Sequence, residues 1–185
     1  MVKLCVLVAV DEKQGYGKNG HTPWSLPHEF QFFLDLIKNK GAIFGKNCWQ
    51  NDMNSVPNAL GNAYTAVVST TLEQCETDKY SISKSLDDAI RMCEQKGFED
   101  LVVVGGAGLF KVAMEDERCD RAYVTRVSGD YGCDVFFQNE LMMKLGFKCD
   151  AANDKQEEEK VFLEYAKTNP NRHEGITYVF ELYTR

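Results

Sequence analysis

The apolar and polar positions along the chain follow two alternating patterns, and each pattern predicts one kind of secondary structure. Short apolar runs occur at residues 4–10, 41–45, 64–69, 101–105, 122–127 and 178–183, with a weaker one at 79–82. Runs of this length are typical of strands in a parallel sheet covered on both faces. Helical spacing separates several of these runs, while residues 51–61 and 150–160 predict loops. The alternation predicts one α/β domain spanning residues 1–185, with a mostly parallel central sheet, helices on both faces and an antiparallel C-terminal edge strand.

The stretch at residues 85–96 carries a specific signal for the start of a helix. Ser85 is followed three residues later by Asp88, which is the spacing of a capping box. Leu86, Ile90 and Cys93 then recur at helical spacing, so they are predicted to line the buried face of this helix.

The first predicted helix carries the acid of greatest chemical interest. Pro27 suits its first turn, Phe30 and Phe33 recur at helical spacing, and Gly41 is expected to stop it. Glu29 is the single acid on this aromatic surface. A carboxylate placed there is poorly solvated, so its pKa should rise, and such acids often hold or protonate a ligand. The alternative, a first-turn glutamate that favours the helix dipole and points to water, stays open.

Glycine-containing stretches follow three of the predicted strands. Residues 15–20 contain three glycines and predict a mobile loop that can approach a ligand closely. Residues 45–49 and 101–108 resemble strand-to-helix junctions whose backbone N–H groups cradle a phosphate, and Lys46 adds a positive charge. The first stretch also has a simpler interpretation as a flexible linker, and the second as a plain glycine turn. The third is a weak signal by itself and is not a dinucleotide fingerprint.

Composition excludes several classes of function. The net charge of −7 and the pI of about 5.0 argue against a nucleic-acid partner or an anionic membrane surface. The seven cysteines are an odd number without a Cys-x-x-Cys pair, which favours reduced thiols in a cytoplasmic protein. The three histidines lack metal-ligand spacing, so no metal site is expected. The run at 4–10 is too short for a signal peptide or a membrane span.

Several stretches together resemble the dihydrofolate reductase family over nearly the whole chain. The shared pieces occur in the family's order: residues 8–10, 15–20, Pro23 with Trp24, 26–30 with Phe33, Gly45 and Lys46 with Trp49, 67–69, 84–89, Gly105 with Gly106, 123–126, Asp134 before Phe136 and Phe137, and 180–183. Any one piece is a weak signal. The ordered set is specific.

The resemblance implies hydride transfer from NADPH to 7,8-dihydrofolate, which gives tetrahydrofolate. Glu29 stands at the family's single acidic residue, which holds the pterin and promotes its protonation at N5. Thr125 matches the threonine that steadies this carboxylate, and Trp24 matches the tryptophan that shields the site. The resemblance also implies a small-molecule substrate, a monomer and antifolates as inhibitors.

The resemblance further implies two sets of binding residues. The substrate set is Leu7, Val8, Phe30, Phe33, Leu60, Asn62 and Val104. The cofactor set is Ala9, Tyr16, Lys18, Asn19, Gly20, Gly45, Lys46, Asn47, Cys48, Ser69, Thr70, Lys84, Gly105, Gly106, Ala107, Gly108, Leu109 and Phe110. Within this set, Lys46, Ser69 and Lys84 are expected to receive the 2′-phosphate of NADPH, and Gly105 with Gly106 the pyrophosphate.

The sequence departs from the family pattern at binding positions. The arginine that pairs with the glutamate tail of folate is missing, since Asn62 stands near its place and no arginine precedes Arg91. Other changes put Cys48, Thr70, Phe110 and Val135 where the family has threonine, arginine, tyrosine and threonine. Two alternatives therefore stay open: a related NADPH-dependent reductase of a pterin or pyrimidine without a glutamate tail, and a non-catalytic protein that binds NADPH or a pterin.

Overall fold

The computed structural model describes residues 1–53, 63–150 and 159–185. Its strands are β1 (Lys3–Val10), β2 (Gly15–Gly17), β3 (Gly41–Gly45), β4 (Tyr64–Val68), β5 (Cys75–Glu76), β6 (Tyr80–Ser83), β7 (Asp100–Gly105), β8 (Cys119–Val127), β9 (Val135–Phe136), β10 (Lys148–Asp150), β11 (Asn171–His173) and β12 (Ile176–Thr184). Its helices are α1 (Pro27–Ile37), α2 (Lys46–Cys48), α3 (Leu86–Gln95), α4 (Ala107–Glu115), α5 (Asn139–Lys144) and α6 (Lys160–Ala166), and a π-helical segment (Trp49–Met53) continues α2. No helix in these ranges is long and apolar enough to cross a membrane.

The central sheet follows the order β10-β12-β8-β1-β7-β3-β4-β6-β5, and β11 pairs with β12. β1 runs parallel to β7 and β8, and β3 runs parallel to β4 and β7. β12 runs antiparallel to β8, and β10 runs antiparallel to β12. The predicted parallel sheet with an antiparallel C-terminal edge is confirmed, with β10 outside β12. A separate two-stranded sheet pairs β2 with β9.

β1 shows why this sheet is covered on both faces. Leu4, Val6, Val8 and Val10 belong to the core cluster on one face, whereas Leu7 belongs to the cluster on the other. Successive side chains of a strand point to opposite faces, so a strand that is apolar throughout needs two partner layers. The first cluster contains buried residues of α3, α4 and α5, and the second contains those of α1 and α6. Helices on both faces are therefore confirmed.

The beginning of α1 agrees with the sequence prediction, but its end does not. Pro27 occupies the first helical turn, and the helix finishes at Ile37. Asn39 (φ 59°) adopts the left-handed conformation after the helix, so the predicted glycine stop is wrong. Gly41 instead opens β3, where an added Cβ would lie 2.5 Å from Leu101 Cδ2. Packing against β7, and not helix termination, explains this glycine.

The boundary and face of α3 are as predicted. The Ser85 hydroxyl accepts a hydrogen bond from the Asp88 backbone N–H at 3.1 Å and so caps the helix. Leu86, Ile90 and Cys93 are buried in the first core cluster. A local capping signal and an amphipathic repeat therefore sufficed to place this element.

The C-terminal region contains a hairpin and a helix that packs on α1. Glu174 (φ 46°) and Gly175 (φ 84°) form the two-residue turn between β11 and β12, and two left-handed residues match the right-handed twist of paired strands. α6 begins at Lys160, the last residue of the predicted acidic loop, and was not predicted. Its Phe162 is buried in the second core cluster, to which the buried residues of α1 also belong.

Candidate active site

The first turn of α1 meets the carboxyl ends of β1 and β8 at one acid. The Thr125 hydroxyl donates a hydrogen bond to Glu29 Oε1 at 3.3 Å. Thr125 is fully buried on β8 and pairs in register with Ala9 of β1. Because Glu29 points inward to this hydroxyl, the alternative of a solvent-directed first-turn glutamate does not describe the structure.

Burial changes the acid–base behaviour of Glu29. Loss of solvent raises its pKa from 4.5 to about 7, and the hydrogen bond from Thr125 acts in the opposite direction. This agrees with the rise expected from its apolar neighbours in the sequence. A carboxyl group with this pKa is partly protonated near neutral pH, so it can donate a proton or accept one there.

Trp24 is buried in the same core cluster as the buried face of α1. Its side chain is buried and its ring lies edge-on to Tyr131, with centroids 5.2 Å apart. The indole Nε1 is buried and has no hydrogen-bond partner within residues 1–53, 63–150 and 159–185. A buried donor left unpaired costs about 1–3 kcal/mol, so this N–H is suited to a bound water or ligand.

The predicted substrate residues that the structure describes lie on α1 and on both faces of the sheet. The rings of Phe30 and Phe33 stack with their centroids 5.7 Å apart. The side chain of Phe30 is 38% exposed. Leu7 and Val104 lie on the same face of the sheet as α1, whereas Val8 points to the opposite core cluster. Leu60 and Asn62 lie outside the described residues.

Sequence reasoning missed an aromatic group that holds the first turn of α1. The His28 Nδ1 lies 3.2 Å from the Tyr178 hydroxyl, and its ring packs on Tyr165 at 4.8 Å. The Tyr165 hydroxyl in turn donates to Asp35 Oδ2 at 2.5 Å. Burial raises the pKa of Tyr178, and the Glu29 charge raises it further. These contacts join α6 and β12 to the helix that carries the acid, across 130 or more positions, so no local pattern could have revealed them.

The two glycine junctions predicted separately come together as one turn. A Cβ added at Gly45 would lie 2.8 Å from the Gly106 backbone nitrogen and 3.0 Å from the Gly105 carbonyl oxygen. Gly105 has φ 131°, which disfavours other residues, and Gly106 caps α4 without any side-chain hydrogen bond. The first N–H groups of a helix have no intrahelical partner, so backbone donors and an open approach coincide at this point.

The predicted glycine loop contacts that turn through Tyr16, and hydrogen bonds to Asp11 hold the start of the loop. Tyr16 is partly buried, which raises its pKa to about 12, and the Ala107 backbone N–H bonds its hydroxyl. The buried Asp11 carboxylate accepts backbone hydrogen bonds from Lys13 and Gly15 in the loop and from Tyr131 opposite. The loop is therefore partly ordered as β2, although its mobility stays a prediction.

The remaining loop residues of the predicted cofactor set make further contacts. The Asn19 backbone N–H donates to Asp134 Oδ2 at 2.7 Å, and Lys18 Nζ donates to the Tyr131 carbonyl at 3.2 Å. Gly20 (φ 82°) lies against Asn51, whose Nδ2 would be 2.5 Å from an added Cβ.

A second turn gathers the predicted phosphate residues. Lys46 Nζ donates to Thr71 Oγ1 at 2.9 Å, and Lys84 Nζ donates to the Leu72 carbonyl at 2.5 Å. Ser69 is buried, and its hydroxyl accepts the backbone N–H groups of Thr71 and Leu72. The structure thus brings Lys46, Ser69 and Lys84 together, and it adds Thr71, which the sequence did not single out.

The other predicted cofactor residues differ in exposure. Asn47 and Gly108 are exposed, Cys48 and Leu109 are half-buried, and Thr70 is exposed beside the lysines. Phe110 is completely buried, where its ring contacts Tyr16 and Phe137 edge-on. Its ring also lies 3.2 Å from the Cβ position of Gly105, so it supports the glycine turn from behind.

One family of known proteins matches this chain over most of its length. The profile of the family described as dihydrofolate reductase matches residues 3–172. The chain is 30% identical over 195 residues to the viral dihydrofolate reductase of Saimiriine herpesvirus 2 (strain 488), covering 97% of this chain and 83% of that protein. It is likewise 30% identical over 196 residues to the dihydrofolate reductases of Sus scrofa and Gallus gallus, covering 97% of this chain and 96% and 94% of those proteins.

Proposed function

Since this chain belongs to the dihydrofolate reductase family, we propose that it catalyses the NADPH-dependent reduction of 7,8-dihydrofolate to 5,6,7,8-tetrahydrofolate. The observation that carries the proposal is the Glu29–Thr125 pair, a partly buried carboxyl group of raised pKa at the end of a parallel sheet. We also propose that the protein acts as a cytoplasmic monomer of one domain and that antifolates inhibit it. Measuring NADPH oxidation with and without dihydrofolate tests the activity directly.

Glu29 is assigned the proton chemistry. In its ionised form it holds the amidine edge of the pterin, and in its protonated form it promotes protonation at N5. Thr125 fixes the carboxyl orientation through its 3.3 Å hydrogen bond. Phe30 and Phe33 form an apolar wall for the rings of the substrate, and Trp24 limits the access of water. Bound NADPH supplies the hydride, while the protein supplies position and a proton.

The described residues fit this cofactor at two points. The close approach of Gly45 to Gly105 and Gly106 leaves no side chain between backbone N–H donors and a pyrophosphate. Lys46 and Lys84 form no ion pair with a carboxylate within residues 1–53, 63–150 and 159–185. Two such ammonium groups in a chain of net charge −7 supply the local positive charge that a 2′-phosphate requires.

The first prediction is a preference for NADPH over NADH. Charge-assisted hydrogen bonds to a phosphate contribute about 1.5–3 kcal/mol each, so two lysines should favour NADPH by at least ~10-fold. Thr70 in place of arginine should narrow this preference without abolishing it. Dissociation constants for both cofactors, measured at moderate salt, provide the check. Equal constants would show that these lysines do not serve the phosphate.

One sequence feature favours a second candidate, a reductase of pterins that lack the glutamate tail. No arginine precedes Arg91, so the usual partner of the tail carboxylate is missing. Lys38 and Lys40 line a cavity of about 160 Å³ together with Asp100 and Arg121 at the amino ends of β7 and β8. Phe30 and Phe33 do not line that cavity, so neither lysine is placed as an evident substitute.

The second prediction separates these two activities. Loss of an ionic hydrogen bond worth about 1.5–3 kcal/mol should weaken binding of the tail roughly 10- to 150-fold. We expect a tail-free dihydropterin to be reduced with kcat/KM within about tenfold of dihydrofolate, a difference under ~1.4 kcal/mol. Asn62→Arg should lower KM for dihydrofolate only. If the family's arginine position falls one residue later in the chain, Ala63→Arg should have that effect. A hundredfold preference of the parent protein for the tailed substrate would assign the arginine's role to another cation.

The third candidate is a binding protein without catalysis. Retention of the Glu29–Thr125 hydrogen bond argues against it, because a protein that only binds has little need for an acid of raised pKa. The same NADPH oxidation assay distinguishes it, since such a protein binds NADPH without any dihydrofolate-dependent oxidation.

A further inference from the structure

Two ammonium groups from different parts of the chain are attached to the turn formed by residues 69–72. Lys46 reaches it from the first turn of α2, and Lys84 reaches it from the end of β6. Lys84 bonds backbone carbonyls of this turn, those of Leu72 and Thr70, whereas Lys46 bonds one side chain, the Thr71 hydroxyl. The position of Lys46 therefore depends on the identity of a residue, and that of Lys84 does not.

The Thr71 hydroxyl is held in place by the turn itself. The backbone N–H of Thr71 donates to Ser69 Oγ at 3.2 Å, and the hydroxyl oxygens of Ser69 and Thr71 lie 3.4 Å apart. Ser69 Oγ also accepts the Leu72 N–H at 3.0 Å, so the serine fixes the backbone on which Thr71 stands. Thr71 itself is exposed, and its hydroxyl accepts the Lys46 hydrogen bond at 2.9 Å.

We propose that Thr71 is a specificity-determining residue that positions Lys46 for a phosphate monoester on the ribose 2′-oxygen of the cofactor. This inference rests on the proposed function and names a residue outside the set that the sequence predicted. Ordering a flexible lysine side chain costs conformational free energy on binding, and an acceptor already in place lowers that cost before the ligand arrives. One N–H of the Lys46 ammonium group bonds Thr71, which leaves its other two donors for an anion.

Adjacent hydroxyls provide a contrast. Thr70 is exposed like Thr71, but it bonds Lys84 through its backbone carbonyl, and its side chain makes no hydrogen bond to either lysine within the described residues. Thr77 has a structural role outside the turn, because its hydroxyl donates to the Tyr80 carbonyl and accepts the Tyr80 N–H. Thr71 alone among these three combines a fixed backbone with a direct hydrogen bond to a lysine.

The experiment compares Thr71→Val with Thr71→Ser and with the matched control Thr77→Val. Calorimetry gives the dissociation constants of adenosine 2′,5′-bisphosphate and of adenosine 5′-monophosphate, which differ in the 2′-phosphate. We expect Thr71→Val to weaken the bisphosphate about 3- to 10-fold, as for one lost hydrogen bond, and to change the monophosphate less than about twofold. Thr71→Ser should retain the parent's values. Thr77→Val should lower the melting temperature without changing the ratio of the two constants.

Four results would overturn the inference. Unchanged dissociation constants of both ligands in Thr71→Val would show that Lys46 needs no positioning by this hydroxyl. Equal weakening of both ligands, or failure of Thr71→Ser to restore the ratio, would show a general disturbance of the turn. A parent protein that does not distinguish the two ligands overturns the inference together with NADPH selectivity. Dihydrofolate-dependent oxidation of NADPH by the parent, with no change of ratio in Thr71→Val, rejects the inference alone and leaves the proposed function standing.

Discussion

Replacing Glu29 with glutamine is expected to slow turnover by roughly a hundredfold or more while NADPH binding stays nearly intact. Glutamine keeps the size of the side chain and can still accept the Thr125 hydrogen bond, but it cannot donate an acidic proton or carry a charge. The glycine turn, Lys46 and Lys84 lie outside α1, so the affinity for NADPH should not fall together with the turnover rate. Single-turnover rates and NADPH dissociation constants provide the two measurements.

The pH dependence of the parent gives the sign of this effect. With the Glu29 pKa raised to about 7, the protonated form prevails below pH 7 and the activity should fall as pH rises through that value. The unfolded chain loses the same proton near pH 4.5, so the folded state binds more protons between about 4.5 and 7. Stability contributed by this group therefore declines across that window as pH rises. Glu29→Gln should remove both dependences.

Asp35→Asn is the matched control, since it neutralises another carboxylate on the same helix. Asp35 accepts hydrogen bonds from Gln31 and Tyr165 on the outer side of α1. The control should lower the melting temperature but preserve the break in the pH profile near 7. Near-normal turnover at neutral pH in Glu29→Gln would remove this carboxyl group from the mechanism.

Gly45→Ala is expected to damage both the fold and cofactor binding. The new Cβ would lie 2.8 Å and 3.0 Å from backbone atoms of Gly106 and Gly105, so one strand end must move. Overpacking of this kind costs about 1–3 kcal/mol, and the same displacement should weaken NADPH binding roughly 5- to 150-fold. Urea unfolding and NADPH titration measure the two effects separately.

Gly108→Ala is the matched substitution on the neighbouring helix. An added Cβ there meets nothing within 4 Å, and alanine favours a helix over glycine. Its free energy of unfolding should rise by about 0.4–1 kcal/mol, opposite in sign to that of Gly45→Ala. If Gly45→Ala proved equally neutral, the close approach of β3 to the glycine pair would not be required.

Local signals in the sequence determined the features that depend on neighbouring residues. The cap of α3 rests on Ser85 and Asp88, which are three positions apart, and the apolar run of β1 implied two covering layers. The apolar residues around Glu29 on one helix predicted the rise of its pKa, and burial is the cause of that rise in the structure. The ordered set of short motifs likewise indicated the family that the comparisons show.

Features set by distant contacts could not be read in the same way. The sequence predicted that Gly41 ends a helix, but its packing against Leu101 explains the glycine. Phe30 lies at an apolar position of the helical pattern, yet its side chain is exposed in the structure. The acid-rich sequence before α6 predicted a loop, and the helix that follows was missed. Tyr165 of this helix packs on the ring of His28. These outcomes depend on which elements meet in space, and periodicity along the chain carries no information about that.

The sequence by itself determined most of the elements, the two-sided sheet and the identity of the acid, because these depend on spacing within one helix or strand. Only the tertiary structure brought Gly45 against Gly105 and Gly106 and placed Thr71 beside Lys46. Residues 25 to 61 positions apart meet there because parallel strands end at the same edge of the sheet. A hydrogen bond or a steric contact of this kind is decided by the packing of whole elements, so no local pattern encodes it.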